Sequence, residues 1–154
     1  MELAKRKSPR IKAYDYSTPN YYFITICTHK KECIFGYPGK LNDFGRYAEE
    51  NLKKIPEIHS AIQLDKYVVM PNHIHGIFVV QADEAETGLK NLSVIIGQYK
   101  MSVTKKIREI EPGKIVWQRS YHDHVIRNEH DYRIIWEYID NNPAQWELDC
   151  FYSD

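Results

Sequence analysis

Apolar and polar positions change period along this chain, and the changes mark out seven elements. The run Tyr21-Tyr22-Phe23-Ile24-Thr25-Ile26-Cys27-Thr28 follows a turn cluster of Ser17, Thr18, Pro19 and Asn20, and its β-branched and aromatic residues predict a buried strand. From 42 to 55, Phe44, Ala48, Asn51, Leu52 and Ile55 recur at helical spacing, with Asn42 as a cap and Pro56 as a stop. Two strand-like runs, Ile62 to Met70 and His73 to Val80, flank the dipeptide Pro71-Asn72 and predict a hairpin. Residues 89 to 110 carry Leu89, Leu92, Ile96, Tyr99, Val103, Ile107 and Ile110 on one side of a helix and Lys90, Lys105 and Arg108 on the other. After the Pro112-Gly113 break, Ile115 to Arg127 predicts another strand. Glu129 to Asn142 predicts a last helix, capped by Asn128 and stopped by Pro143.

The first six elements run β-α-β-β-α-β, the split unit of a ferredoxin-like α+β fold. That order predicts an antiparallel sheet of about four strands with helices on one face, plus a C-terminal helix. A length of 154 residues suits one domain, and 43% hydrophobic residues are enough to build a core. We expect a basic N-terminal arm over 1–20 and a single domain over 21–154. No apolar run approaches the roughly 18 residues of a membrane helix, and no apolar segment follows the basic N-terminus as a signal peptide requires. Three cysteines, Cys27, Cys33 and Cys150, are an odd number without metal-knuckle spacing. These features together predict a cytoplasmic protein with no membrane partner.

Formal charge sums to zero, but the sum conceals segregation. Residues 1–40 carry a net +5, residues 41–89 a net −4, residues 90–133 a net +4 and residues 134–154 a net −5. Such blocks can build a basic face on a neutral protein, which is what gripping phosphates requires. Solvated helix faces with a basic tail would give the same counts.

Candidate chemistry begins with His73-Ile74-His75. Strand alternation places both imidazoles on one face, so two ring nitrogens can converge on one metal ion; a solvated strand end could show the same pair. Nucleotide-hydrolase and cupin patterns do not fit, because position 77 is Ile and residues 76–80 hold no acid. His122-Asp123-His124 is a second such pair. On the last helix, Tyr132, Ile135, Trp136 and Ile139 form the core stripe, and Tyr138 falls off it, four residues before Asn142, so that the hydroxyl and the amide can be presented together. Tyr121, Tyr99 and Tyr132 are rival nucleophiles, although Tyr99 and Tyr132 sit on apolar stripes.

Three segments taken in order, Val68 to Gly76 with its HIH, Trp117 to Asn128, and Glu137 to Pro143, resemble the REP-associated tyrosine transposases, single-tyrosine HUH enzymes of small bacterial insertion sequences. The similarity runs from about Arg10 to Trp146. It implies that His73 and His75 are metal ligands, that Asn142 supplies a third ligand, and that Tyr138 is the nucleophile; His122 or His124, read from their own HxH spacing, could assist a metal or a phosphate, or serve only as a strand end. The implied cofactor is Mg²⁺ or Mn²⁺. The implied substrate is single-stranded DNA bearing a hairpin, cleaved through a 5′-phosphotyrosine and rejoined.

Lys5, Arg6, Lys7, Arg10 and Lys12 of the arm, with Lys100, Lys105, Lys106 and Arg108, are the phosphate-binding candidates, and Tyr14 and Tyr16 are candidates for stacking on unpaired bases. Related transposases include monomers and dimers, so a homodimer with its site assembled in trans is within the expectation. Two other functions remain open at this point: a hairpin-binding regulatory protein that does not cleave, and a metal-dependent phosphodiesterase acting on small nucleotides.

Overall fold

The computed structural model describes residues 20–81 and 85–146, with side chains over 20–81 and 92–146. Lys5, Arg6, Lys7, Arg10, Lys12, Tyr14 and Tyr16 lie outside the described residues, as do Cys150 and the side chains of Leu89 and Lys90. Asn20, expected as the end of the arm, is the first residue of strand β1 (Asn20–Cys27).

The elements that follow are a small hairpin of β2 (Gly36–Tyr37) and β3 (Lys40–Leu41), helix α1 (Asp43–Ile58), strands β4 (Ile62–Val69) and β5 (His73–Val80), helix α2 (Ala85–Ile110), strand β6 (His122–Ile126) and helix α3 (Glu129–Asn141). Four strands form one antiparallel sheet in the order β4-β5-β1-β6, the arrangement expected of a ferredoxin-like fold. β5 is interior, and all eight of its residues are buried. Alternation therefore sends its side chains into two different layers.

Ile74, Phe78 and Val80 of β5 join Tyr22, Ile24 and Ile26 of β1 beneath α1 (Ala48, Leu52, Ile55) and α2 (Leu92, Ile96, Tyr99, Val103, Ile107). On the opposite face, Tyr21, Ile77, Val79 and Ile126 make a smaller core with Ile135 and Ile139 of α3. The two inner helices share one face and α3 covers the other.

Both predicted caps are made: Asn42 Oδ1 accepts from Gly45 N–H at 2.9 Å, and Asn128 Oδ1 accepts from Asp131 N–H at 2.8 Å. Pro56 does not stop α1, which continues to Ile58. Proline lacks a donor, but in the final turn this removes only one intrahelical bond, and His59 N–H still closes on Ile55 O at 2.8 Å. Asn142 keeps helical dihedrals (φ −54°, ψ −47°) although Pro143 follows, which holds it in phase with Tyr138.

The strand expected over Ile115 to Arg127 is shorter. Residues 116–118 run beside the end of β1, with His29 N–H bonded to Val116 O and Gln118 N–H to Cys27 O, but the chain turns at Ser120, whose φ is +62°, before β6 begins. The β2–β3 hairpin was not foreseen. Its Gly36 has φ +106°, and a Cβ there would sit 2.6 Å from Asn42 N.

Candidate active site

Register with β1 fixes the neighbours of the histidine pair. His75 lies opposite Thr25 and His73 opposite Cys27, so these four side chains share the face covered by α3. His73 and His75 are fully buried, and their rings lie 4.5 Å apart, edge to face. Thr25 Oγ1 is 2.9 Å from His75 Nδ1, and Asn72 Oδ1 is 2.8 Å from His73 Nδ1. Burial, reinforced by the adjacent His73, holds His75 well below the usual imidazole range. It is therefore neutral at pH 7, the form in which a ring nitrogen can ligate a metal.

Helix α3 delivers the other two groups. Ile135 and Ile139 anchor it in the smaller core; Tyr138 is one position, about 100°, away from Ile139. Its ring lies 5.2 Å from that of His75 and meets Phe23 edge-on at 6.4 Å. The residue is 38% exposed, so a ring packed on the site also opens to solvent. One turn on, buried Asn142 sets its Oδ1 3.2 Å from His73 Nε2. The structure places His73, His75, Tyr138 and Asn142 side by side: two strand residues and two residues from α3 and its C-terminal cap lie in one cluster at the end of the sheet. Nε2 of each imidazole and Oδ1 of Asn142 are atoms capable of ligating a divalent ion. Among the described residues, no group of three His, Cys, Asp or Glu side chains is arranged to hold a metal.

The rival tyrosines are occupied elsewhere. Tyr99 donates to Ala48 O at 2.8 Å and Tyr132 to Asp65 Oδ2 at 2.6 Å; burial, as the largest cause, raises both hydroxyls above the ordinary tyrosine range. Tyr121 packs on the α1–α2 core, across the sheet from the histidines. His122 and His124 do share the α3 face, opposite Thr25 and Phe23 respectively. Two strand spacings, roughly 10 Å, separate His122 from His75. His124 Nε2 is bound by Asp131 at 2.9 Å, so both exposed rings flank the cluster rather than complete it.

The basic residues of α2 lie in the other layer. Lys100 donates to the carbonyls of Gln118 and Ser120, at 2.9 and 2.7 Å, and Arg108 to that of Lys114 at 2.8 Å, so both brace the segment leading to β6. Burial lowers the Lys100 ammonium pKa. Lys105 and Lys106 are exposed, with Lys106 3.8 Å from Glu109.

Several site neighbours escape a reading of the sequence. Trp146 stacks on His73, ring to ring at 6.2 Å, and its spacing of four from Asn142 was the available signal. Thr25 and Phe23 become visible only once β1 is paired with β5.

No protein-family model matches the chain. An uncharacterized protein of Haemophilus influenzae (strain Rd) is 36% identical over 169 residues, spanning 97% of this chain and 94% of the relative. Among solved structures, a REP-associated tyrosine transposase bound to a REP hairpin aligns with a TM-score of 0.55 at 19% identity, over 90% of this chain and 73% of that one. A candidate transposase from Deinococcus radiodurans R1 aligns with a TM-score of 0.51 at 18% identity, over 88% and 97%. The chain thus has the transposase fold of these two structures, and by its likeness along nearly the whole length of both sequences it belongs to one family with the Haemophilus influenzae protein.

Proposed function

We propose that this protein is a metal-dependent transposase that cleaves and rejoins single-stranded, hairpin-bearing DNA through Tyr138. The observation that carries this reading is the convergence of Tyr138 and Asn142 from α3 upon His73 and His75 of β5. The fold it shares with a hairpin-bound transposase supports the choice of substrate.

In this reading His73, His75 and Asn142 hold Mg²⁺ or Mn²⁺. The donor set fits: the amide oxygen is a hard ligand suited to both ions, and neutral imidazoles accept Mn²⁺ readily. When bound, the ion would supply electrostatic stabilisation of charge developing on the phosphate. Tyr138 Oη attacks the scissile phosphorus; the Oη–P bond forms as the P–O3′ bond breaks. The phenolic proton leaves and the departing 3′ oxygen gains one, so the products are a 5′-phosphotyrosyl protein and a free 3′-OH. Attack of a 3′-OH on that linkage reverses the step and joins strands without a nucleotide cofactor. Phe23 and His75 pack against the Tyr138 ring from the sheet side, and the residue as a whole stays 38% exposed.

Incubation of the protein with labelled hairpin DNA and Mn²⁺, resolved on a denaturing gel, tests the proposal. A covalent adduct mapped to Tyr138, absent with chelator, is the expected result. Retention of the hairpin in a native gel with no adduct for any hairpin tried would instead assign a binding protein.

A further inference from the structure

Two side chains hold the Nδ1 atoms of the histidine pair, and they differ in chemistry. The Thr25 hydroxyl can donate or accept, so it leaves the tautomer of His75 unset. Asn72 faces His73 Nδ1 with its oxygen, and that orientation is determined elsewhere: Asn72 Nδ2 donates to Lys31 O at 3.2 Å, which directs Oδ1 at the ring 2.8 Å away. Only a protonated Nδ1 can satisfy an acceptor there. Nε2 is then the unprotonated nitrogen of neutral His73, and it lies 3.2 Å from Asn142 Oδ1, so two acceptors face each other there and no hydrogen bond joins them; a cation between them reconciles the pair.

The surroundings of Asn72 serve this orientation. Lys30 and Lys31 both have positive φ, 53° and 58°, a conformation non-glycine residues seldom adopt, and this tight turn presents the Lys31 carbonyl to the amide. Asn72 is 1% exposed. Its backbone is clamped as well: Thr28 N–H bonds Asn72 O at 3.0 Å, Phe35 N–H bonds Pro71 O at 3.1 Å, and Met70 N–H bonds His73 O at 2.8 Å.

We propose that Asn72 is a positioning residue, which fixes His73 in the Nδ1–H tautomer and so keeps the Nε2 lone pair directed at Asn142 Oδ1, where a divalent cation would be shared. The inference rests on the metal reading above. It assigns the Lys30–Lys31 turn a purpose: it is the support that orients Asn72. Loss of such an outer partner characteristically weakens metal binding by about 10- to 100-fold.

The test separates tautomer from metal. Long-range ¹⁵N–¹H spectra of the metal-free protein, recorded well above the ordinary imidazole pKa of about 6.5 and assigned with His73→Gln, should show His73 protonated at Nδ1 and bare at Nε2. Asn72→Asp gives up the bond to Lys31 O but presents an acceptor to Nδ1 whichever way its carboxylate turns, and should keep that signature. Asn72→Ala should lose the signature and bind Mn²⁺ about 10- to 100-fold more weakly. An Nε2–H signal in the wild-type protein would overturn the proposal even if Asn72→Ala failed to fold. So would an Asn72→Ala protein that retained both the signature and the affinity. Failure of the wild type to bind Mn²⁺ at all would refute the metal reading instead, while the spectra would still decide what Asn72 does.

Discussion

The two faces of one sheet differ in kind. Toward α1 and α2, β1 and β5 present Tyr22, Ile24, Ile26, Ile74, Phe78 and Val80, and the helices answer with aliphatic side chains. Toward α3, the same strands present hydrocarbon at one end, with Tyr21, Ile77 and Val79, and hydrogen-bonding groups at the other, with Thr25, His73 and His75. Burying polar groups is unfavourable unless they are paired, and here the Nδ1 of each imidazole is met, by Thr25 for His75 and by Asn72 for His73. Stability is therefore concentrated on one face and chemistry at one end of the other. Alternation along a fully buried strand makes this separation possible, because a change at an odd-numbered position of β5 does not enter the α1–α2 core.

The comparison breaks most decisively at Tyr138. Tyr138→Phe should abolish the DNA adduct, a drop on the order of 10³ or more, while the melting temperature stays near that of the wild type, since the ring and its contacts with Phe23 and His75 are kept. An undiminished adduct would remove Tyr138 from the chemistry. Leu52→Ala probes the opposite face: a fully buried leucine replaced by alanine costs about 2–5 kcal/mol and should lower the melting temperature by roughly 5–15 °C. Adduct formation measured well below that midpoint should be unchanged. A loss of activity in the folded Leu52→Ala protein would show that the two faces are coupled.

Ile139→Ala sharpens the contrast. Its side chain is fully buried in the smaller core, between Tyr138 and Asn142 along α3. A stability loss toward the lower end of the same range, about 2–3 kcal/mol, should come with weaker cleavage even where the protein is folded, because this residue seats the turn that carries the nucleophile. Thermal melts and adduct yields on the same samples check both halves; equal effects of Ile139→Ala and Leu52→Ala on yield would show that α3 holds no special position.

Much of this was legible in the chain because it depends on local period. Alternation gives the shared face of His73 and His75, and spacing by four gives the Tyr138–Asn142 pair. Sheet order followed from element order. What escaped was whatever depends on another segment. Ser120 ends the strand-like run of 115–127 through a left-handed turn that no residue type announces, and Lys100 caps that turn from a different helix. The β2–β3 hairpin has only two residues in each strand, too few to show a period. Charge blocks say nothing about layers. Residues 90–133 are basic as a group, yet Lys105 and Lys106 stand on the layer opposite the histidine pair, so proximity in sequence to β6 does not bring them to the site.

The smallest expected effect concerns how α3 is held to the sheet. A bulge in β4 between Leu64 and Lys66 lets two successive side chains reach the same helix: Asp65 accepts from Tyr132 Oη, and Lys66 pairs with Asp140 at 2.7 Å while its ammonium lies 3.9 Å from the centre of the Trp136 ring. Asp140 is half exposed, so solvent screens the pair and its coupling should be no more than about 1 kcal/mol. Lys66→Met keeps the aliphatic stem on Trp136 and removes only the charge. A double-mutant cycle of Lys66→Met with Asp140→Asn should therefore give a coupling below about 1 kcal/mol that shrinks with added salt. A coupling of 2 kcal/mol or more would mean that charge, rather than Ile135 and Ile139, seats α3, and the α3 face would then be held by a different force from its opposite. The buried aliphatics argue against that outcome, since Ile135 and Ile139 are the residues of the helix itself that are buried against the sheet.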